Sequence, residues 1–318
     1  MQMLGNLFNI VIFTTVIGML FWISMYILKS MLHLLIPIWM GIVGMCVFIL
    51  PIIVPQVQLI PAEEQMWYFG YQVAAVIWGI GVITMGIYLF LSYLCVVYSL
   101  KKCRICVEDK VLEKTKEICL MYGIKKNPTI FYTDLTIDAC VLPLIRPVVL
   151  LNKEVLSQLS DRELYIILGH ELMHIKRKHH LLRRMFELVV AIQWFNPIVW
   201  IAKNNFELIC EMDCDRYTIS ELKDVKSNTY VEAMIHLCEI SLGFENKSLS
   251  GLKATGKKFI RQRFTAIYQR RESRNYIVQF IIWMILIFIL IWSSGKMSSA
   301  HFYPYPAFNS APEYNLDV

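Results

Sequence analysis

Charged residues are almost absent from the first hundred positions of this chain, where only Lys29, Glu63 and Glu64 interrupt the apolar pattern. They leave three uncharged runs at about 4–28, 31–54 and 73–98, and a fourth follows at about 276–294. Each of the first three exceeds the roughly 20 residues that a helix needs to cross a hydrocarbon core about 30 Å thick. The pattern therefore predicts four transmembrane helices, three at 1–100 and one at 276–294. Between them lies a single polar block at 101–275, large enough for one domain. A short tail at 295–318 follows the last span.

Lys and Arg set the orientation. The loop 55–72 has neither and carries Glu63 and Glu64, so it is expected outside. The polar block opens with Lys101, Lys102, Arg104 and Lys110 and closes near Arg261, Arg263, Arg270, Arg271 and Arg274, which assigns it to the cytoplasm. N-terminus and C-terminus are then both outside. No basic residue precedes the first run, so it does not read as a signal peptide. With 57% hydrophobic residues and mean hydropathy +0.50, the chain is too apolar for an ordinary soluble protein. Its net charge of +6 reflects the inside bias and calls for no direct nucleic-acid binding.

Within the polar block the period changes. Glu108–Tyr122 has helical spacing, whereas Thr129–Tyr132 and Val148–Leu151 are short apolar runs bounded by prolines and read as strands. Ser160 can cap a helix, with Asp161 and Glu163 near its positive end. That helix is expected to run through His174 into Lys176–His180, with an apolar flank of Leu164, Ile167, Leu168, Leu172 and Ile175. The stretch from Phe186 to Ala202 is nearly all apolar and is broken at Asn196-Pro197. It reads as a helical pair packed on the preceding helix or lying at the membrane surface, with a re-entrant segment as the alternative. Asn204–Ser220 is a second polar helix, and the basic stretch from Ser250 to Arg274 reads as the positive flank of the fourth span. The fold class is a mainly α membrane protein with a cytoplasmic α+β domain.

The chemistry centres on His170-Glu171-Leu172-Met173-His174, an HExxH sequence. Residues four apart share a helix face, so His170 and His174 can offer two imidazoles to one metal ion. Glu171 then sits beside the metal as a base for water. A catalytic zinc site needs a third protein ligand. Glu207, Glu211 and Asp215 form one stripe of the later helix, beside a stripe of Cys210 and Cys214, and spacing alone does not choose among the acids. His179, His180 and His236 compete. His179 and His180 fall off the face shared by the HExxH pair, which suggests solvated or membrane-surface roles. The nine cysteines lie mostly in the cytoplasmic part, where thiols stay reduced, and Cys103/Cys106 lacks the second pair of a zinc knuckle.

Four segments taken in order resemble the BlaR/MecR-type membrane zinc metallopeptidases: Val141-Leu-Pro-Leu-Ile-Arg-Pro147, then 164–178, then Trp194-Phe-Asn-Pro-Ile-Val-Trp200, then Cys210-Glu-Met-Asp-Cys-Asp215. The resemblance covers the four-span layout and the whole polar block, with a zincin-like metallopeptidase domain. It implies His170, His174 and Glu211 as zinc ligands and Glu171 as the general base. It makes Asp215 the acid that orients a ligand histidine, and Glu207 the weaker ligand candidate. It further implies a zinc endopeptidase of the bacterial plasma membrane, active in signal transduction and antibiotic resistance. The substrate would be a cytoplasmic, dimeric winged-helix repressor or the chain's own basic stretch, with room for a separate sensor protein and a homodimer. Two features depart from the family. His179 stands where an aspartate is common, and the chain ends about 25 residues past the fourth span, without the family's penicillin-binding sensor domain. Arg216 and Tyr217 are the nearest candidates for an oxyanion donor. A quality-control protease of the HtpX kind and a non-catalytic receptor with a peptidase fold are the rival readings.

Overall fold

In the computed structural model, residues 11–12, 15–26, 38–48, 65–101, 103–133, 139–142, 147–222, 224–244, 250–268 and 285 are described. The apolar runs give helices Thr15–Tyr26 (α1), Ile38–Val47 (α2) and Gln65–Leu100 (α3). Gln72–Leu100 is the one stretch among the described residues that is long and apolar enough to span a bilayer. Much of its surface stays bare, with Ile77, Ile80, Ile83, Ile87 and Phe90 exposed. Helices α1 and α2 are apolar but shorter. The run at 276–294 lies outside the described residues except for Ile285.

The polar block supplies a four-stranded sheet of Arg104–Ile105 (β1), Thr129–Thr133 (β2), Ala139–Leu142 (β3) and Val148–Asn152 (β4), in the order β1-β2-β4-β3. Strands β2 and β4 are parallel, with Ile130 opposite Val149, while β1 and β3 run antiparallel to their neighbours. The two strands expected from the sequence are the central pair. β4 is buried along its whole length, because alternate side chains serve two cores. Val149 and Leu151 face the domain core, whereas Val148 and Leu150 pack on Tyr93, Val96, Val97 and Leu100 of α3. The sheet thus seats the polar domain on the last two turns of α3.

Helix Asp109–Tyr122 (α4) shares the domain core with Ile130, Val149 and Leu151 of the sheet, and Lys153–Gln158 (α5) starts under an Asn152 cap. Helix Asp161–Lys176 (α6) begins with a full capping box: Ser160 accepts from the Glu163 backbone and Glu163 accepts from the Ser160 backbone. Leu164, Ile167, Leu168 and Leu172 are buried. Each contributes about 1.5–3 kcal/mol of hydrophobic stabilisation. At Gly169 a Cβ would fall 2.9 Å from Leu222 Cδ1 and 3.2 Å from Tyr122 Oη, so a side chain there would push its neighbours away.

Helix α6 does not continue to His180 as expected. It stops at Lys176, Lys178 takes the left-handed conformation with φ 57°, and a new helix, His179–Ile192 (α7), turns back. The expected break at Asn196-Pro197 is the start of the next helix, Pro197–Glu221 (α8), where Asn196 Oδ1 accepts from the Ile198 backbone. The acids at 207–215 therefore ride on the helix that begins in the apolar segment, not on a separate one at 204–220. Ser227–Phe244 (α9) and Ser250–Tyr268 (α10) complete the described fold and pack against α6 and α8.

Candidate metal centre

His170 and His174 stand one turn apart on α6, both buried, with ring centroids 4.9 Å apart. α8 crosses α6 and brings Glu211 to them. His170 Nε2 lies 3.3 Å from His174 Nε2 and 3.3 Å from Glu211 Oε2, and His174 Nε2 lies 3.4 Å from Glu211 Oε1. Donors about 2.0–2.1 Å from a tetrahedral zinc would be separated by about 3.3 Å. The two imidazole nitrogens lie at that spacing, and each has an oxygen of the Glu211 carboxylate at the same distance, with all three residues offering a donor within 4.8 Å of the others.

A second set of donors, His174, His179 and Cys214, is more deeply buried, since Glu211 of the first set is only partly covered. It shares His174 with the first set, and burial, aided by Glu211, Asp215 and Asp213, raises the pKa of the Cys214 thiol well above its usual range.

Outer contacts fix the rings. His170 Nδ1 is 2.8 Å from Tyr230 Oη, and that hydroxyl donates to Asp215 Oδ1 at 2.7 Å. The lone pair of His170 Nε2 is then turned toward Glu211 and His174. Arg263 of α10 donates to both oxygens of Asp215, at 2.6 and 2.9 Å, and pairs with Glu211 at 3.0 Å. Its Nη2 is also 3.5 Å from His170 Nε2. Arg183 of α7 donates to Glu211 Oε1 at 2.6 Å. On the other ring, His174 Nδ1 lies 3.2 Å from Nδ1 of His179. His179 Nε2 approaches Asp213 Oδ2 at 3.2 Å without a straight hydrogen bond, and Arg177 in turn grips Asp213 at 2.8 Å.

These contacts set the charge states. Burial pushes the Glu171 carboxyl up; Glu211 adds to this, and His170, Arg183 and Arg263 oppose it. For Glu211 burial acts in the same direction, but Arg263, His174 and His170 outweigh it and hold the carboxyl well below the usual range. Burial holds His174 neutral, with its pKa well below 6.5. For His170 burial is outweighed by Glu211 and Asp215, and its pKa is raised despite Arg263. The cluster combines one ionised carboxylate, a neutral imidazole and a carboxyl poised nearer neutrality.

Other candidates from the sequence lie elsewhere. Glu207 is half-exposed and pairs with Lys203, and His236 meets Glu163 on the far end of α6. Arg216 is exposed and stacks near the Tyr217 ring, away from these donors. Cys103 and Cys106 belong to neither metal-capable group among the described residues. His179 and His180 are buried, not solvated or at a membrane surface, because the left-handed turn at Lys178 folds α7 back onto α6. Tyr230, Asp213 and Arg183 carried no signal in the sequence. Arg263 did, as a topogenic charge, but it is buried in the cluster.

An HExxH helix and an acidic helix meeting in this way are the residue set of a metallopeptidase. A sequence profile described as BlaR1 peptidase M56 matches residues 6–267, and the chain belongs to that family. It is similar to the methicillin resistance mecR1 protein of Staphylococcus aureus, at 28% identity over 232 residues, which cover 68% of this chain and 38% of that protein. It is also similar to the regulatory protein BlaR1 of Staphylococcus aureus, at 22% over 222 residues (69% and 38%). The BlaR1 of Bacillus licheniformis matches at 28% over 123 residues (39% and 20%). The chain thus aligns with about 38% of the length of the first two relatives.

Proposed function

We propose that this chain is a membrane-bound zinc endopeptidase of a signalling pathway, with His170, His174 and Glu211 holding the metal. The observation that carries this reading is the pair of imidazole nitrogens 3.3 Å apart, each 3.3–3.4 Å from an oxygen of the Glu211 carboxylate. When bound, zinc would lower the pKa of water toward about 7 and polarise a scissile carbonyl.

Glu171 accepts the water proton and returns it to the leaving amine. Its raised pKa suits both transfers. Asp215, through Tyr230, holds the His170 ring, and His179 does the same for His174 in place of the family's aspartate. Strand β3 ends the sheet among the described residues and packs on α6, so its outer edge can take an extended peptide as a further strand.

The substrate is a cytoplasmic repressor or the chain's own basic stretch. The substrate follows from the family resemblance read in the sequence, and the relatives' names, those of a regulatory and a methicillin resistance protein, support a regulatory setting. The domain at 101–275 lies in the cytoplasm, with four spans and both termini outside. Cut-site proteomics on cells carrying the intact chain and its Glu171→Ala version tests this. The variant is expected to keep zinc and to lose about 10²–10⁴-fold in cleavage. One inducible cut supports the signalling role, and broad cleavage of misfolded membrane proteins indicates quality control instead. Undiminished cleavage by purified Glu171→Ala overturns the mechanism.

A further inference from the structure

We propose that the α7–α8 hairpin, from about Met185 to Ala202, is a re-entrant element buried in the acyl chains beside α3. This inference concerns a lipid contact and does not depend on the peptidase reading.

Every exposed side chain between Met185 and Ala202 is apolar: Met185, Leu188, Phe195, Pro197, Trp200 and Ile201. A water-facing helical hairpin of that length would carry polar residues on its outer face. The polar side chains at the tip are turned inward and matched within the protein. Gln193 and Asn196 are buried; Asn196 Nδ2 donates to Gln193 Oε1, Gln193 Nε2 donates to the Phe48 carbonyl, and Thr15 donates to Gln193 Oε1. The indoles are matched as well: Trp200 Nε1 donates to the Trp194 carbonyl and Trp194 Nε1 to that of Trp78. Backbone groups at the turn are also paired, with Gln193 donating to Val189, Asn196 to Gln193 and Ile198 to the Asn196 side chain. Internal satisfaction of this kind is what a segment without water requires.

Neighbouring helices set the depth. The 29 residues of Gln72–Leu100 would be about 43 Å long, more than a hydrocarbon core of about 30 Å. The sheet covers the end from Tyr93 onward, and the 21 residues from 72 to 92 that remain span about 31 Å. The hairpin tip lies against this stretch. A Cβ on Gly81, close to its middle, would fall 2.2 Å from the Trp194 indole, and Trp78 Nε1 donates to the Ile192 carbonyl at 2.8 Å. The other flank packs on apolar α1 and α2, through Phe21, Trp22, Met45 and Phe48 against Phe186, Val189 and Val199. Of the charged pairs, Lys203 with Glu207 lies below the segment, and Arg184 with Glu187 marks the start of the first arm, where Glu187 is the one charged residue inside it and is held by its partner at 2.7 Å.

One consequence concerns α8. Its first turns lie in lipid while the same continuous helix presents Glu211, 10 residues beyond Ile201 or about 15 Å along the axis. The cluster of donors is therefore held at the inner face of the bilayer.

The test uses the unmodified full chain in phosphatidylcholine vesicles containing a photoactivatable phosphatidylcholine with a diazirine at the end of its acyl chain. Adducts are mapped by mass spectrometry. The hairpin peptide spanning Leu188–Ile201 is expected to label as strongly as the α3 peptide spanning Ile80–Leu91, roughly tenfold above the water-facing α4 peptide. Labelling of α3 with the hairpin at the α4 level overturns the proposal. So does labelling of the hairpin only by a reagent tethered to the lipid headgroup, which places it flat at the surface.

Discussion

His179 shows how one position can keep a geometry with a different group. A metal-ligating histidine needs a partner on its second nitrogen, and such partners are worth about 10–100-fold in metal affinity. Here the acceptor facing His174 is another imidazole, itself backed by Asp213 and Arg177. His179→Ala is therefore expected to weaken zinc about 10–100-fold, and His179→Asp to restore most of it. Competition with a fluorescent chelator reads both, and equal zinc affinity in His179→Ala would contradict the role. Protonation follows the same contacts. His174, His179 and His180 are held below the ordinary value of 6.5 by burial, whereas His170 is raised. Below pH 6.5 the unfolded chain binds more protons at the first three positions than the native one does, so their contribution to stability falls as pH drops. His170 opposes the trend. Metal-free protein is expected to have a lower Tm at pH 5.5 than at 7.5, with a smaller drop in His179→Asn; a flat or opposite profile would contradict this. The sequence made the HExxH pair visible because one helix turn relates the two histidines. It misjudged His179 because the rotation was counted along one continuous helix, and Lys178 ends that helix.

At the scale of elements, α6 is positioned by its start and by its closest crossing. Loss of the capping hydroxyl in Ser160→Ala is expected to cost about 1 kcal/mol, read by denaturant unfolding. A loss below the error of the measurement would mean that packing alone fixes the helix. Gly169→Val inserts a branched side chain where even a Cβ meets Leu222 at 2.9 Å, and is expected to cost about 1–3 kcal/mol while displacing His170. Unchanged stability and zinc affinity would contradict the tight crossing. The capping box was readable because its partners are three residues apart. The pairing of β3 with β4 and the approach of Tyr230 to His170, 60 positions away, were not, because nothing local in a sequence encodes them.

Across the described residues, the apolar helices α1, α2 and α3 and the polar block pack against one another. α3 is shared between an exposed apolar stretch and a base for the sheet, and α8 joins an apolar tip to the acidic ligand candidate. The long uncharged run of α3 was plain in composition. The role of Arg263 was not, because a basic cluster before a span looks the same whether its arginines mark topology or, like this one, turn inward to Asp215 and Glu211.

The most direct measurement of the central claim is the zinc content of the purified full chain and two variants, by plasma mass spectrometry after dialysis. One zinc per chain is expected for the unaltered protein and for Glu171→Ala, with the metal lost from Glu211→Ala. Full zinc retained by Glu211→Ala, or none in the unaltered chain, would contradict it.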